Sequence, residues 1–323
     1  MMVESAARPV LSMGEILIDL IVTDGASTLD QAETFLARAG GAPANAAVAL
    51  ARLGIPSAFC GVAGKDPFGA RLQHELAAER VDTSRLRLSD AIATTLAFAW
   101  KDSRGDGHFW FLRGAHTALG PQDAEGADIA ALSALMVGSV ALATQPSRDA
   151  IETAVALANR SQVPVVFDFN LRPTLWATLA DAVPICEAIA SRSFVVKLSL
   201  DDAVGMYGED ATPQHAIRHL FDLGPRAVVL TDGERGCWFA IDPGREIGFV
   251  PAFAVKAVEP TGAGDAFSAA LVARLIASNW RELTADDVRY AAAAGALATT
   301  RHGAWDGLPN RAELDTFLAD HLR

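Results

Sequence analysis

Near the end of the 323-residue chain, Glu259-Pro260-Thr261-Gly262-Ala263-Gly264-Asp265-Ala266-Phe267 sets two glycines, two residues apart, just before an aspartate. Glycine adopts backbone conformations that other residues resist, and small Ala263 keeps successive N–H groups accessible. The turn Gly262, Ala263, Gly264 can therefore gather donors around an anion. After it, Phe267, Ala270, Leu271 and Leu275 have the spacing of one helix face; before it, the chain reads as a strand ending near Val258. An anion would then sit at a helix N-terminus. A carboxylate works against mere storage of an anion there but suits catalysis. Asp265 would accept the proton of a hydroxyl attacking phosphorus, while the N–H groups stabilise charge on the phosphoryl oxygens. A helix cap is the other role open to Asp265, and this loop alone leaves both standing.

Competing phosphate motifs fail. Gly61-Val62-Ala63-Gly64-Lys65-Asp66 lacks P-loop spacing and has Asp66 where Ser or Thr would hold magnesium, so Lys65 and Asp66 read as a helix-entry turn. The Gly262 loop is no dinucleotide fingerprint, because Phe267 stands at the third glycine position. His215 and His219 share a helix face but lack a third ligand, and read as a solvated face. The six tryptophans are scattered, which suits packing.

The elements that must position Asp265 alternate. Strand-like runs at 10–20, 58–64, 163–168, 194–198 and 227–231 are separated by helical stretches at 45–53, 67–79, 147–159, 178–190 and 213–223. That rhythm predicts a parallel sheet with helices on both faces. Two β-rich runs, 94–101 and 108–111, are joined by Asp102, Ser103, Arg104, Gly105 and Asp106, which reads as a projecting hairpin. With the segment at about 20–37 it would make a small β-sheet lid.

Hydrophobic residues are 51% of the chain and charged residues 20%, enough for a two-sided core. A net charge of −12 excludes a general nucleic-acid surface, so a nucleotide must be held by local donors. Cys60, Cys186 and Cys237 are odd in number and widely spaced, and read as buried thiols in a reducing cytosol. The stretch before Val10 has no apolar signal core, and the apolar run at 129–143 is too short to cross a bilayer. A cytoplasmic protein without membrane contact is expected.

A second string, Gly40-Gly41-Ala42-Pro43-Ala44-Asn45, leads into a helix that ends before Gly54. Together with Gly262 to Asp265 it closely resembles the two signatures of the PfkB (ribokinase-like) family of carbohydrate kinases. Gly14 to Asp19 resembles the family's opening strand, and Gly61 to Gly69 its strand, turn and helix. Asp168 to Trp176, Phe109 to Arg113, Met136 to Ser139 and Gly295 to Gly303 are most similar to fructokinases. The resemblance covers nearly the whole chain in the expected order.

It implies a three-layer α/β/α fold with a mostly parallel central sheet, residues 1–323 as one kinase domain, and a β-rich lid from about 20–37 and 94–113. It implies ATP-dependent phosphorylation of a small carbohydrate, D-fructose to fructose 6-phosphate. The alternatives are a 2-keto-3-deoxygluconate kinase or another sugar kinase of the family, and, from another class, a non-catalytic sugar-sensing relative. Asp19 and Asn45 would bond sugar hydroxyls, Gly41 would let the ring approach, Arg172 would lie near the sugar, and Arg113 would reach in from the lid. Thr231, Gly233 and Gly236 would line the ATP site with Lys197 and Gly264. Ser199 and Asp202 fall where relatives carry Asn-x-x-Glu, which organises magnesium through water. Glu259 and Pro260 replace the usual Asp-Thr of a segment that binds potassium in many relatives. Gly114-Ala115-His116 departs from the Ala-Asp pattern of many fructokinases. A homodimer is expected from the way such lids pair.

Overall fold

The computed structural model describes residues 8–104, 107–241, 246–281 and 283–321. Of the turn residues named above, Gly105 and Asp106 lie outside these ranges. Thirteen strands follow one another among the described residues: β1 (Val10–Met13), β2 (Leu17–Val22), β3 (Phe35–Gly40), β4 (Ser57–Gly64), β5 (Asp82–Ser89), β6 (Leu96–Lys101), β7 (Gly107–Leu112), β8 (Ala134–Gly138), β9 (Val165–Asp168), β10 (Val195–Ser199), β11 (Ala227–Thr231), β12 (Gly236–Ile241) and β13 (Gly248–Pro251).

Nine of them form one sheet in the order β13-β12-β11-β10-β9-β8-β1-β4-β5. Pairings from β5 through β11 are parallel, and β12 and β13 are added antiparallel. Strands such as Ala227–Thr231 show no polar alternation because helices cover both faces of the sheet. Successive residues face opposite layers. Val195, Ala227 and Val229 pack with the helices Ala42–Arg52, Ala263–Ala277 and Ala285–Ala298. Val196, Leu198, Val228 and Leu230 pack with Ser147–Arg160, Leu179–Ala190 and Pro213–Asp222. The observed α/β/α layering is the expected one.

The other four strands form a small sheet, β3-β2-β6-β7, in which β2 and β6 are parallel and both outer pairs are antiparallel. Its first two strands run from Leu17 to Gly40, wider than the expected 20–37.

Two expectations are corrected. The run 10–20 is not one strand. At Gly14, φ is +153°, and a Cβ there would lie 2.7 Å from Pro43 Cγ. The chain leaves the large sheet at this point and re-enters strand geometry in the small one. No strand ends near Val258 either: the last ends at Pro251, and the Val258 and Glu259 N–H groups both donate to Thr299 O, at 2.7 and 3.0 Å. The helix after the glycine loop is buried almost all round, wider than the single face expected, because it is wedged between the helices Ala42–Arg52 and Ala285–Ala298.

Candidate active site

Parallel ladders bring polar ends of apolar strands together. In the register of β9 and β10, Lys197 stands beside Asp168, and pleat parity turns both towards the helix Ala263–Ala277. The Lys197 ammonium donates to both Asp168 carboxylate oxygens, at 3.1 and 3.2 Å, and Ser268 Oγ donates to Asp168 Oδ2 at 2.7 Å. A Cβ at Gly264 would lie 2.9 Å from Lys197 Nζ, so the buried cation sits directly against the glycine loop. Burial pulls the Lys197 pKa down, but Asp168, Asp202 and Asp265 push it up by more, and the ammonium stays charged.

The loop makes its turn at Gly262, whose φ of +83° strains any residue with a side chain. A Cβ there would lie 3.1 Å from Ala304 O. The Ala263 N–H is spent on Pro260 O at 3.1 Å, whereas those of Gly262, Gly264 and Asp265 have no carbonyl partner among the described residues. Of the Gly262-Ala263-Gly264 turn, the two glycines thus keep open donors, and Asp265 adds a third.

Asp265, in the first turn of this helix and 9% exposed, accepts from Asn45 Nδ2 on Oδ2 at 2.7 Å. Asn45 lies in the first turn of the helix Ala42–Arg52, and its Oδ1 accepts from Trp305 Nε1 at 2.7 Å. The helix start is set by Gly41, where φ is +104° and a Cβ would lie 2.6 Å from Glu15 O. Around Asp265 gather two more acids, one buried and one half-buried. Glu15, in the break between β1 and β2, accepts from Ala42 N on Oε1 at 3.2 Å, and its Oε2 has no hydrogen-bond partner among the described residues. Asp19, on β2, lies against Gly40.

Burial raises all three. Glu15 goes up to about 7, helped by Asp265 and opposed by backbone N–H groups and Arg172. Asp19 goes up to about 7, opposed by Arg172 and helped by Glu259 and Asp265. Asp265 goes up to about 6, helped by Asp168 and opposed by Asn45, Lys197 and Arg172. A base whose midpoint lies near 6 is ionised at neutral pH and still able to take a proton, which is the condition for general-base work.

The description "pfkB family carbohydrate kinase" matches residues 7–311. The chain belongs to the PfkB family of carbohydrate kinases. It is 35% identical to the fructokinase of Klebsiella pneumoniae over 311 residues, 95% of this chain and 98% of that one. A fructokinase structure from Vibrio cholerae O395 with fructose, ADP and calcium ion superposes with a TM-score of 0.84 at 34% identity, covering 96% of this chain and 99% of that one. A putative ribokinase II from E. coli in complex with ATP and Mg2+ gives a TM-score of 0.85 at 26% identity, covering 97% and 100%.

In this PfkB kinase, Asp19, Asn45 and Asp265 converge with Arg172, which acts on Glu15, Asp19 and Asp265 and whose guanidinium carbon lies 5.8 Å from the Phe109 ring of β7. The partners of Asp168 are Lys197 and Ser268, not Arg172. Arg113, exposed at the end of β7, donates to Leu175 O and so ties the small sheet to the segment carrying Arg172. Thr231 ends β11 and donates to Leu198 O at 3.4 Å. Gly233, with φ of +49°, has open space where a Cβ would be, whereas at Gly236, with φ of +125°, β13 leaves none.

Asp202 is a cap: Oδ2 accepts from Ser199 N and Oγ, at 2.8 and 2.7 Å, and Oδ1 from Leu171 N at 2.7 Å. Glu259 Oε2 accepts from Gly303 N at 3.0 Å and lies 3.4 Å from His302 Nδ1. His116 is buried, bonded through Nδ1 to Thr95 Oγ1 at 2.6 Å, and pushed down to about 4 by burial and Arg113, so it is neutral. Asp66 caps the helix Pro67–Ala78, accepting from Gly69 N at 2.9 Å, as its helix-entry reading requires. His219 bonds Glu187 Oε1 at 2.6 Å while His215 is exposed, and no group of three or more His, Cys, Asp or Glu able to hold a metal occurs among the described residues. All three cysteines are free and buried. No described helix is long and apolar enough to cross a membrane.

Glu15, Asp168 and Trp305 are the site residues that sequence reasoning passed over. An acid inside the apolar run Val10 to Leu20 was the available signal for Glu15. Nothing distinguished Trp305 from a packing tryptophan.

Proposed function

We propose that this kinase transfers the γ-phosphoryl group of ATP to the 6-hydroxyl of D-fructose. The carrying observation is a buried carboxylate, Asp265, beside the open N–H groups of Gly264 and Asp265 and the Lys197 ammonium. The fructokinase names of the relatives support the choice of sugar. In the reaction, Asp265 takes the hydroxyl proton as that oxygen bonds to phosphorus, and ADP departs with the electrons of the broken bond. Gly264 and Asp265 N–H and Lys197 hold the charge spread over the phosphoryl oxygens. Asp19, with the second Nδ2 hydrogen of Asn45, orients the sugar, and Arg172 offsets the acids around it. Gly233 leaves room for the nucleotide's phosphates beside Thr231 and Gly236.

Magnesium, bound to the phosphates of ATP, supplies charge neutralisation. The described residues offer it no cage of their own, and Asp202, whose oxygens already accept three hydrogen bonds, fits only contact through water. Glu259 fits potassium in part: Oε2 is taken by Gly303 N–H and Oε1 has no protein partner among the described residues. We infer that the small sheet is a lid that excludes water from the sugar, and that the cytoplasmic enzyme pairs through it as a homodimer.

An assay of ATP turnover against fructose, 2-keto-3-deoxygluconate, ribose and adenosine, run with and without potassium, tests the reading. Fructose should give the highest kcat/KM. Preference for the keto acid would transfer the assignment to that substrate, a result disfavoured by the acids crowding Arg172. Absence of any sugar-dependent ADP would leave only the sensor reading.

A further inference from the structure

Among the contacts of Asp265, the bond from Asn45 leads on to Trp305. Trp305 lies in the short helix Ala304–Gly307, 8% exposed, and its indole N–H donates to Asn45 Oδ1 while Asn45 Nδ2 donates to Asp265 Oδ2, each at 2.7 Å. An amide side chain is nearly symmetric in shape and can present either end, but an indole nitrogen can only donate. The indole therefore decides which end of the Asn45 amide meets Trp305, and so which end meets the carboxylate. Were the amide turned over, its carbonyl oxygen would oppose a carboxylate oxygen.

The tryptophan is itself braced. Arg52 Nη1 donates to Trp305 O and Leu308 O, at 2.6 and 2.8 Å, and Arg52 forks onto Glu79 at 2.8 and 2.6 Å. The preceding Gly303 N–H is held by Glu259 Oε2. An anchor this firmly placed does more than fill space.

We propose that Trp305 is a positioning residue for the transfer: by fixing the polarity of the Asn45 amide it keeps Asp265 Oδ2 an acceptor and leaves Oδ1 to meet the acceptor hydroxyl. The inference rests on the reading of Asp265 as the base. The charged groups facing Asp265 are Asp168 from β9, Lys197 from β10, Arg172 from the loop after β9, Glu15 from the β1–β2 break and Asp19 from β2. None of these is removed when Trp305 is replaced.

In Trp305→Phe the ring remains and the donor is lost. The Asn45 amide is then free to turn, the hydrogen bond that favours ionised Asp265 weakens, and the acid limb of the kcat/KM profile with fructose should move up by about one pH unit. At pH 7.5 kcat should fall about tenfold while KM for fructose changes less than about threefold. An acid limb and kcat equal to wild type in a folded variant would overturn the proposal.

A second measurement does not need turnover. In wild-type protein with 15N-labelled indoles, the Trp305 Nε1–H resonance, assigned by its loss in Trp305→Phe or Trp305→Tyr, should shift with a midpoint near that of Asp265. The shift should vanish in Asp265→Asn. A resonance that ignores pH between 4.5 and 8, or that titrates unchanged in Asp265→Asn, would refute the relay. If wild type phosphorylates no sugar, the functional reading fails while the indole titration still decides the relay.

Discussion

Removing one oxygen's charge from Asp265 separates its two roles. Asp265→Asn keeps the N-terminal position in the helix and the neighbour Asn45, yet cannot take a proton. kcat should fall about a hundredfold or more while sugar binding persists. Steady-state kinetics with fructose measures this, and turnover like wild type would remove Asp265 from the chemistry. The acids around it also make a prediction with an unusual sign. Glu15, Asp19 and Asp265 have folded midpoints of about 7, 7 and 6, above ordinary values of 4.5, 3.8 and 3.8, because burial penalises their charge. Between these limits the folded protein holds protons that the unfolded chain releases. Their contribution to stability is full below about pH 4 and is lost as pH rises through 6 to 7. Without ligands, the unfolding temperature should therefore fall from pH 5 to pH 8, and Glu15→Gln, neutral at every pH, should flatten that slope. Calorimetry across this range would contradict the assignment by showing the same slope in both proteins.

Elements deliver these residues through a few backbone constraints, of which the turn at Gly262 is the most exacting. Gly262→Ala adds a Cβ at positive φ and 3.1 Å from Ala304 O. It should cost about 1–2 kcal/mol of stability and displace the open donors of the cradle, lowering kcat as well. Chemical denaturation and kinetics on the same sample measure both, and a variant unchanged in each would remove the turn from the mechanism. This loop was legible in the sequence because glycine spacing reports backbone geometry directly, and strands such as Ala227–Thr231 were legible because burial on both faces leaves continuous apolar runs. The break after Met13 was hidden, since β1 and β2 are both apolar and only Gly14 marks the change of sheet. Val258 looks like a strand residue, yet its N–H and that of Glu259 both turn to Thr299 O. Asn45 was read as a sugar contact alone. Its bond to Asp265 joins residues 220 positions apart, and no local pattern carries such a pairing.

At the scale of the whole molecule, the small sheet has two unlike faces. Register sets Asp19 and Phe109 on the side of the acids, and Phe35, Phe98 and Trp110 on the other. Those three rings touch in series, with centroids 5.8 and 5.6 Å apart, and Trp110 is 48% exposed. An aromatic face of this kind suits a second copy of the chain. Sedimentation should give a dimer for wild type and a monomer for Trp110→Asp, and a wild-type monomer at micromolar concentration would reject pairing through this face. The bond between Trp305 and Asn45 spans 260 positions and meets Asp265 between them. The arrangement around Asp265 can therefore be completed only once the chain has been made through Trp305. A nascent chain that stops short of Trp305 could already have built the large sheet, whose last described strand ends at Pro251, yet would lack the donor that orients the Asn45 amide.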